Sequence, residues 1–320
     1  MATNNVLLTG GTGFFGRALL RYYFNSPLKS DTKLTIVSRN PTRFRNMYPE
    51  LTLSSSIRLI EGDIDFPETL PSDEQYTHIL HAATDSTLGP NLNSLKYYKQ
   101  IVSGVSNLLD FAVQNNVPKF LLTSSGGIYG AQPNDLDRLS EDYLGSPPLM
   151  ETTAAYSHGK RAAEHLSYLY SANFGINITI ARCFAFVGQD LPLDAHFAIG
   201  NFLLNALNST DLIIKGDGTA IRSYLDQRDL ALWLWTLLFH GKNQEVYNVG
   251  SDEEISIYSL ACLIRDLISP KSNVLVLGKR NTVSFRNRYV PDISKFKSDF
   301  SLQPKYTLRD AIYESVRKLQ

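Results

Sequence analysis

The strongest constraint on this fold is an alternation. Between residues 6 and 181, short apolar runs take turns with stretches whose apolar residues recur at helical spacing. Val6–Leu8, Leu34–Val37, Ile57–Ile60, His78–His81, Phe120–Thr123 and Ile178–Ala181 are too short for helices and read as buried strands. Residues 13–24, 95–115 and 154–173 read as helices. Asn115-Asn116 ahead of Pro118 closes the second of these, and Gly175 closes the third. Strand and helix repeated in this order predict an α/β fold, a doubly wound parallel sheet covered on both faces.

Past residue 182 the alternation loosens. Asp190–Asn208 holds a proline-bearing loop and then a helix, Asp211–Tyr224 reads as strand, Gly-Asp-Gly turn, strand, and Val246–Val249 is one more buried strand. The expected division is a Rossmann-type domain over 1–181 plus 222–250, with a smaller mixed α/β lobe over 182–221 plus 251–320. A chain of 320 residues is long enough for both. Its 31 basic residues balance 31 acidic ones, so no general attraction to nucleic acid or an anionic membrane is expected. Cys183 and Cys262 lie far apart in apolar runs without metal-ligand spacing, and read as buried packing. The N-terminus enters its first strand at once, without a leader pattern, and the apolar run at Leu230–Phe239 is too short to span a bilayer. A cytoplasmic, reduced location is the expectation.

Three motifs carry chemistry. Directly after the first strand stands Gly10-Gly11-Thr12-Gly13-Phe14-Phe15-Gly16. Glycines at this spacing allow a tight turn and let the backbone approach a pyrophosphate, which the N–H groups of the next helix then meet. The turn therefore predicts a dinucleotide site. The second strand ends in Ser38-Arg39, where NAD-binding chains usually carry an acid. Arg39 suits a 2′-phosphate, so NADP is favoured over NAD, although Arg39 is equally read as a solvated residue and Arg43 as its substitute. Asp63-Ile64, after the third strand, fits an adenine contact or a helix cap.

The second motif, Ser124-Ser125-Gly126-Gly127-Ile128-Tyr129-Gly130, follows the fifth strand, at the carboxyl edge where such sheets bind ligands. The third is Tyr156 with Lys160. Four residues apart on a helix, they share a face. A cation beside a phenol favours phenolate, and bringing a tyrosine from about 10 to about 7 takes roughly 4 kcal/mol. So tuned, Tyr156 exchanges a proton with a sugar hydroxyl or ketone near neutral pH.

Together these motifs resemble the extended short-chain dehydrogenase/reductase family, in its nucleotide-sugar epimerase, dehydratase and reductase branch. Gly216-Asp217-Gly218 before Arg222-Ser223-Tyr224, Tyr247-Asn248-Val249-Gly250 and Pro291-Asp292-x-x-Lys295 match later landmarks of that branch. The resemblance implies Tyr156 as acid/base, Lys160 as holder of the nicotinamide ribose and tuner of Tyr156, and Ser125 as partner of the reacting oxygen. It places Ser124, Ala82, Ala83 and Thr84 on the cofactor wall. It places Gly126, Ala185, Arg222 and Arg288 toward the nucleotide sugar, with a structural ion pair as the alternative for both arginines.

Departures narrow the activity. Dehydratases of the branch typically carry Asp and Glu after the loop hydroxyl, and its decarboxylases a Glu; Gly126 and Gly127 stand here instead, which disfavours both reactions. Ala185 replaces the usual Asn. The resemblance then implies hydride transfer at C4 of an NDP-hexose or NDP-4-keto-6-deoxyhexose, by an epimerase or a reductase. A catalytically inert dinucleotide sensor is the alternative from another class. A homodimer through a four-helix bundle of 95–115 and 154–173 is also implied. Base and sugar identity are expected to depend on the loops 84–93, 190–196 and 284–288.

Overall fold

A computed structural model describes residues 4–84, 93–195, 197–279 and 287–317. Parts of the three loops just named lie outside these residues. In chain order the strands are β1 (Asn4–Thr9), β2 (Thr32–Ser38), β3 (Ile57–Glu61), β4 (His78–His81), β5 (Lys119–Ser125), β6 (Asn177–Cys183), β7 (Phe186–Val187), β8 (Leu212–Ile214), β9 (Ile221–Ser223), β10 (Leu225–Asp226), β11 (Glu245–Val249), β12 (Glu254–Ser256), β13 (Val274–Val276) and β14 (Arg288–Tyr289). The helices are α1 (Phe14–Phe24), α2 (Leu28–Asp31), α3 (Pro41–Met47), α4 (Ser94–Gln114), α5 (Ala155–Phe174), α6 (Ala198–Leu207), α7 (Gln227–His240), α8 (Ile257–Ile268), α9 (Ser294–Phe300) and α10 (Leu308–Arg317).

Seven strands form one parallel sheet in the order β11-β6-β5-β4-β1-β2-β3. This is the Rossmann-type doubly wound arrangement that the alternation predicts. Its central strands are buried on both faces, which is why they read as continuous apolar runs rather than alternating ones. One face packs on α1 and α7 through Leu19, Tyr23, Trp233 and Trp235, and the other on α4 and α5 through Val105, Leu108 and Ala163. A third apolar cluster joins α6, α8 and α10, where Phe202, Leu203, Leu260, Ile264 and Ile312 meet. Ile293 and Phe296, assigned to the lobe on sequence, pack instead with the sheet cluster, Phe296 lying on Trp233 with ring centroids 3.9 Å apart.

The sheet has its crossover where β1 and β4 adjoin. β1 leads to β2 on one side, and β4 leads to β5 on the other. The carboxyl ends of β1, β4 and β5 open on this crevice, and ligands of doubly wound sheets bind there. The small sheet β12-β9-β14 lies across from it and contributes two side chains to the site.

Candidate active site

The glycine turn is built for close approach. Gly10 has φ +76°, and a Cβ on it would stand 2.4 Å from the Ala82 carbonyl group. A Cβ on Gly16 would lie 2.2 Å from the backbone of Gly11, so α1 can seat on β1 only with glycine here. A Cβ on Gly13 would meet nothing closer than 3.5 Å. Gly13 caps α1 without a side-chain bond, and the first turn carries no acid. The N–H groups at that end are therefore left for an anion, and the turn fits a dinucleotide pyrophosphate. Thr12, Phe14 and Phe15 flank it, Phe15 meeting Phe186 edge-on. Ser124 adds a buried hydroxyl at the end of β5 with no hydrogen-bond partner among the described residues.

Farther along the crevice the placements are mixed. Ser38 accepts from the Asn40 N–H and Arg39 is exposed. The Asp65 carboxyl, pushed up mainly by burial and by Asp63, feels the opposing pull of Arg39. Arg39 therefore has an acid near it, which the sequence reading of Ser38-Arg39 did not foresee. Asp63 accepts the Asp65 N–H, and Ile64 fills the gap left by Gly104 on α4.

The three residues expected to react, Ser125, Tyr156 and Lys160, lie at the end of β5 and the start of α5. Ser125 terminates β5, and its Oγ accepts the Gly127 N–H at 3.1 Å. Tyr156 and Lys160 lie in the first turns of α5, which comes close to α4 because Gly159 faces Ile101. Tyr156 stacks on Tyr97 with centroids 5.7 Å apart, and its phenol lies near enough to Ser125 for that hydroxyl to act on its pKa. Lys160 is only 1% exposed, and its Nζ donates to Thr84 Oγ1 at 2.8 Å and to the Thr123 carbonyl at 2.7 Å. Ala82 and Ala83 line the way between that Thr84 contact and the glycine turn.

The electrostatics correct one expectation. Lys160 was expected to depress Tyr156. The ammonium instead turns to Thr84 and the Thr123 carbonyl, and burial pushes the phenol up to about 12, against the pull of Ser125. Burial also brings Lys160 down to about 8. At neutral pH the substrate-free site thus holds a protonated phenol beside a protonated amine. Cys183, opposite Ser125 across the sheet, lies within electrostatic reach of both, and burial raises its thiol to about 12. Cys262 is only half-buried, on the outer lobe.

Two aromatic residues complete the site, and both escaped sequence reasoning. Tyr289 on β14 faces Arg222 on β9, and its ring lies 4.6 Å from that of Phe184. A Cβ on Gly126 would stand 2.6 Å from the Tyr289 hydroxyl and 2.7 Å from Phe184, so these rings occupy the space a side chain at 126 would need. A two-residue strand has no period to detect. The available signal was an aromatic residue just ahead of Pro291-Asp292.

The nucleotide-side residues differ among themselves. Arg222 is held by the Ile221 and Asn287 carbonyls and the Asn287 side chain, and burial lowers its pKa. Arg288 pairs with Glu254 and reaches the Asp137 carbonyl, the ion-pair alternative named above. Ala185 accepts from the Leu225 N–H and packs on the lobe cluster.

Comparison with known proteins places this geometry. The model of the NAD dependent epimerase/dehydratase family matches residues 6–250. The chain belongs to that family. UDP-glucuronic acid decarboxylase 1 of Arabidopsis thaliana is 29% identical over 309 residues, covering 96% of this chain and 68% of that one. Among solved structures, dTDP-glucose 4,6-dehydratase from Bacillus anthracis in complex with NAD aligns with a TM-score of 0.83 at 23% identity, over 98% of this chain and 96% of that one. UDP-glucuronic acid 4-epimerase from Bacillus cereus, in complex with UDP-glucuronic acid and NAD, aligns at 0.82 and 23% identity over 99% and 100%. The family is NAD-dependent, and these findings give no support to the NADP preference drawn from Ser38-Arg39. No helix among the described residues is long and apolar enough to cross a membrane.

Proposed function

We propose that this chain is a nucleotide-sugar epimerase or 4-keto-reductase acting at C4 of an NDP-hexose or an NDP-4-keto-6-deoxyhexose. One observation carries the reading. Ser125 ends β5 beside Tyr156 in the first turn of α5, with Lys160 one turn further on, while the position after Ser125 is a glycine whose side-chain space is filled by Tyr289 and Phe184. That leaves proton-exchanging hydroxyls at the end of β5 and no carboxyl group at 126 or 127 to remove water or to support loss of carbon dioxide.

The residues present fit a dinucleotide. Gly10, Gly13, Gly16 and the end of α1 would hold its pyrophosphate, with Ser124, Thr84 and Lys160 at its nicotinamide end. Bound there, it supplies reversible two-electron oxidation of the sugar carbon. The protein supplies the proton. Tyr156 gives it to a ketone oxygen, or takes it from a hydroxyl, and Ser125 holds the same oxygen by a hydrogen bond. A phenol near 12 holds its proton at neutral pH but is a weak acid, so donation to a ketone requires the phenolate that forms to be stabilised. Withdrawal of a proton requires a lower pKa, which Lys160 can supply once its Nζ leaves Thr84. NAD is the cofactor we favour, because Arg39 shares its surroundings with Asp65. Arg222 is the side chain best placed for the diphosphate, facing Tyr289 across β9 and β14. The partly exposed outer faces of α4 and α5, with Tyr98 and Tyr168, are the surfaces for a homodimer.

The test is a substrate panel. Purified protein is mixed with NDP-4-keto-6-deoxysugars plus NADH or NADPH, and separately with UDP-hexoses plus NAD. Consumption of the reduced cofactor identifies a reductase, and conversion between C4 epimers identifies an epimerase. The curated relatives raise a second reading, so UDP-glucuronic acid is included. Release of a UDP-pentose and carbon dioxide with no C4 inversion would overturn the proposal in favour of a decarboxylase.

A further inference from the structure

The proposed reaction leaves one buried polar network unused. Arg182 stands on β6 next to Cys183, and its guanidinium serves three segments at once. Nε and Nη2 hold the Glu164 carboxylate of α5 at 3.1 and 2.8 Å. Nη1 donates to the Tyr129 hydroxyl at 2.8 Å and to the Glu141 carbonyl at 3.0 Å. The Tyr129 hydroxyl in turn donates to Asn248 Oδ1 on β11 at 2.8 Å, and Asn248 Nδ2 donates to the Leu139 and Asp292 carbonyls. A planar fork bonded on both sides fixes distance as well as direction. The spacing of its two partners is what matters. Glu164 is four residues past Lys160, which is four past Tyr156, so the three share one face of α5. Tyr129 is four residues past Ser125 and closes the short turn Gly126–Tyr129. Arg182 thus grips the far ends of two segments whose near ends carry Ser125, Tyr156 and Lys160. Between the grips the segments pack closely, since a Cβ on Gly127 would stand 2.8 Å from Ser157 Oγ. Arg161 of α5 reaches the same turn only weakly, at 3.4 Å from the Ile128 carbonyl, so Arg182 carries the link.

We propose that Arg182 is a positioning residue: by holding Glu164 and the Tyr129 hydroxyl together, it fixes how far Tyr156 and Lys160 stand from Ser125. It bonds none of the three itself. Opening either bond frees the turn to part from α5, and the seal over Lys160 goes with it. Lys160 is the natural reporter of that seal, because burial is the largest influence on it and brings it to about 8. The titratable and charged groups that face it are Tyr156 and Glu164 on its own helix, Cys183 on β6 and His81 on β4. A substitution that leaves all of these in place and alters no charge moves Lys160 only by moving α5 or admitting water.

The inference rests on the C4 reading above, and its test separates the two. Tyr129→Phe removes one hydroxyl and keeps the ring, its packing on Tyr143 and Phe184, and the guanidinium over its face. Arg182→Lys keeps the charge, but a single ammonium does not reproduce the fork. Having two variants keeps the test open should one fail to fold. The first readout needs no sugar. In the whole protein as purified, carrying carbon-labelled lysine, NMR follows the titration of Lys160, assigned with Lys160→Met. Each folded variant is expected to raise that titration by at least about half a pH unit, toward the ordinary 10.5, as water reaches Nζ. An unmoved or lowered titration in either folded variant overturns the role of Arg182, and so does the behaviour of a residue that only stabilises the fold. The second readout is turnover of the best sugar of the panel. Each variant is expected to lower kcat by about ten- to a hundredfold with KM little changed. The double variant is expected to lose no more than the poorer single one, because both open the same link. Losses that multiply in the double variant overturn the shared link. A raised titration in a protein that converts no sugar upholds Arg182 and discards the C4 reading alone.

Discussion

Lys160 carries the largest tension in the site. Its ammonium is buried, satisfied by one hydroxyl and one carbonyl, and has no carboxylate bonded to it. Its folded pKa of about 8 lies below the ordinary 10.5. Below pH 8 both folded and unfolded chains hold the proton, and the full cost of burying the charge is present. Between the two values the folded chain sheds the proton first, so stability rises with pH, and above 10.5 the cost is gone. Lys160→Met should therefore stabilise the protein at pH 7 by about 2 kcal/mol, with the gain shrinking to nothing above pH 10.5. Thermal unfolding across pH checks this. Stabilisation that does not vary with pH would mean the methionine gains by packing alone. The pairing of Tyr156 with Lys160 was legible because helical spacing fixes which residues share a face. The direction of the Tyr156 shift was not, since it depends on where Nζ points, and Thr84 after β4 and the Thr123 carbonyl on β5 decide that.

At the scale of elements, the glycine turn and the six strands up to β6 were legible because each is local: a few residues determine the turn, and burial on both faces makes a strand uniformly apolar. The helix α7 was not read as one. Nine of its residues are buried, including Gln227 and Asp229, so it lacks the polar face that marks a helix at the surface. The strands β7, β10 and β12 to β14 are two or three residues long, too short for any period, while β8 and β9 were read because the Gly216-Asp217-Gly218 turn lies between them. Gly10 gives a sharp test of the turn. Gly10→Ala places a Cβ at positive φ and 2.4 Å from the Ala82 carbonyl. We expect a loss of about 2–3 kcal/mol of stability and loss of NAD binding by calorimetry; a variant of native stability and affinity would mean the turn relaxes freely. For α4 and α5, Tyr168 is half exposed while Tyr170 bonds Asp110 within the pair. Sedimentation at micromolar concentration is expected to give a dimer that Tyr168→Glu dissociates. A wild-type monomer would contradict the bundle.

At the scale of the whole molecule, one buried acid ties the dinucleotide side to the lobe. Asp190, in the loop after β7, accepts from Arg17 at 3.2 Å and Arg21 at 2.8 Å on α1, and from Gln227 at 3.0 Å on α7. These partners hold its carboxyl below the ordinary range despite burial. A depressed carboxylate stabilises above its unfolded pKa, and that stability is lost as pH falls through the lower folded value. Asp190→Asn should cost about 3 kcal/mol at pH 7, because two guanidinium groups lose their counter-charge, and should flatten the acid limb of the stability curve. Urea unfolding at pH 7 and pH 4 measures both; an unchanged acid limb would free Asp190 of that role. The sheet and the Ser125, Tyr156, Lys160 trio were visible in the sequence. Tyr289 and Phe184, which close the wall at Gly126, were not, because they arrive from β14 and from the link between β6 and β7, both distant in the chain from Gly126. The most direct measurement of the account is turnover of the best NDP-sugar by Tyr156→Phe, with NAD affinity measured on the same sample. We predict kcat reduced by at least about a hundredfold with NAD affinity unchanged. Turnover equal to the wild type would contradict the assignment of Tyr156 as the acid/base.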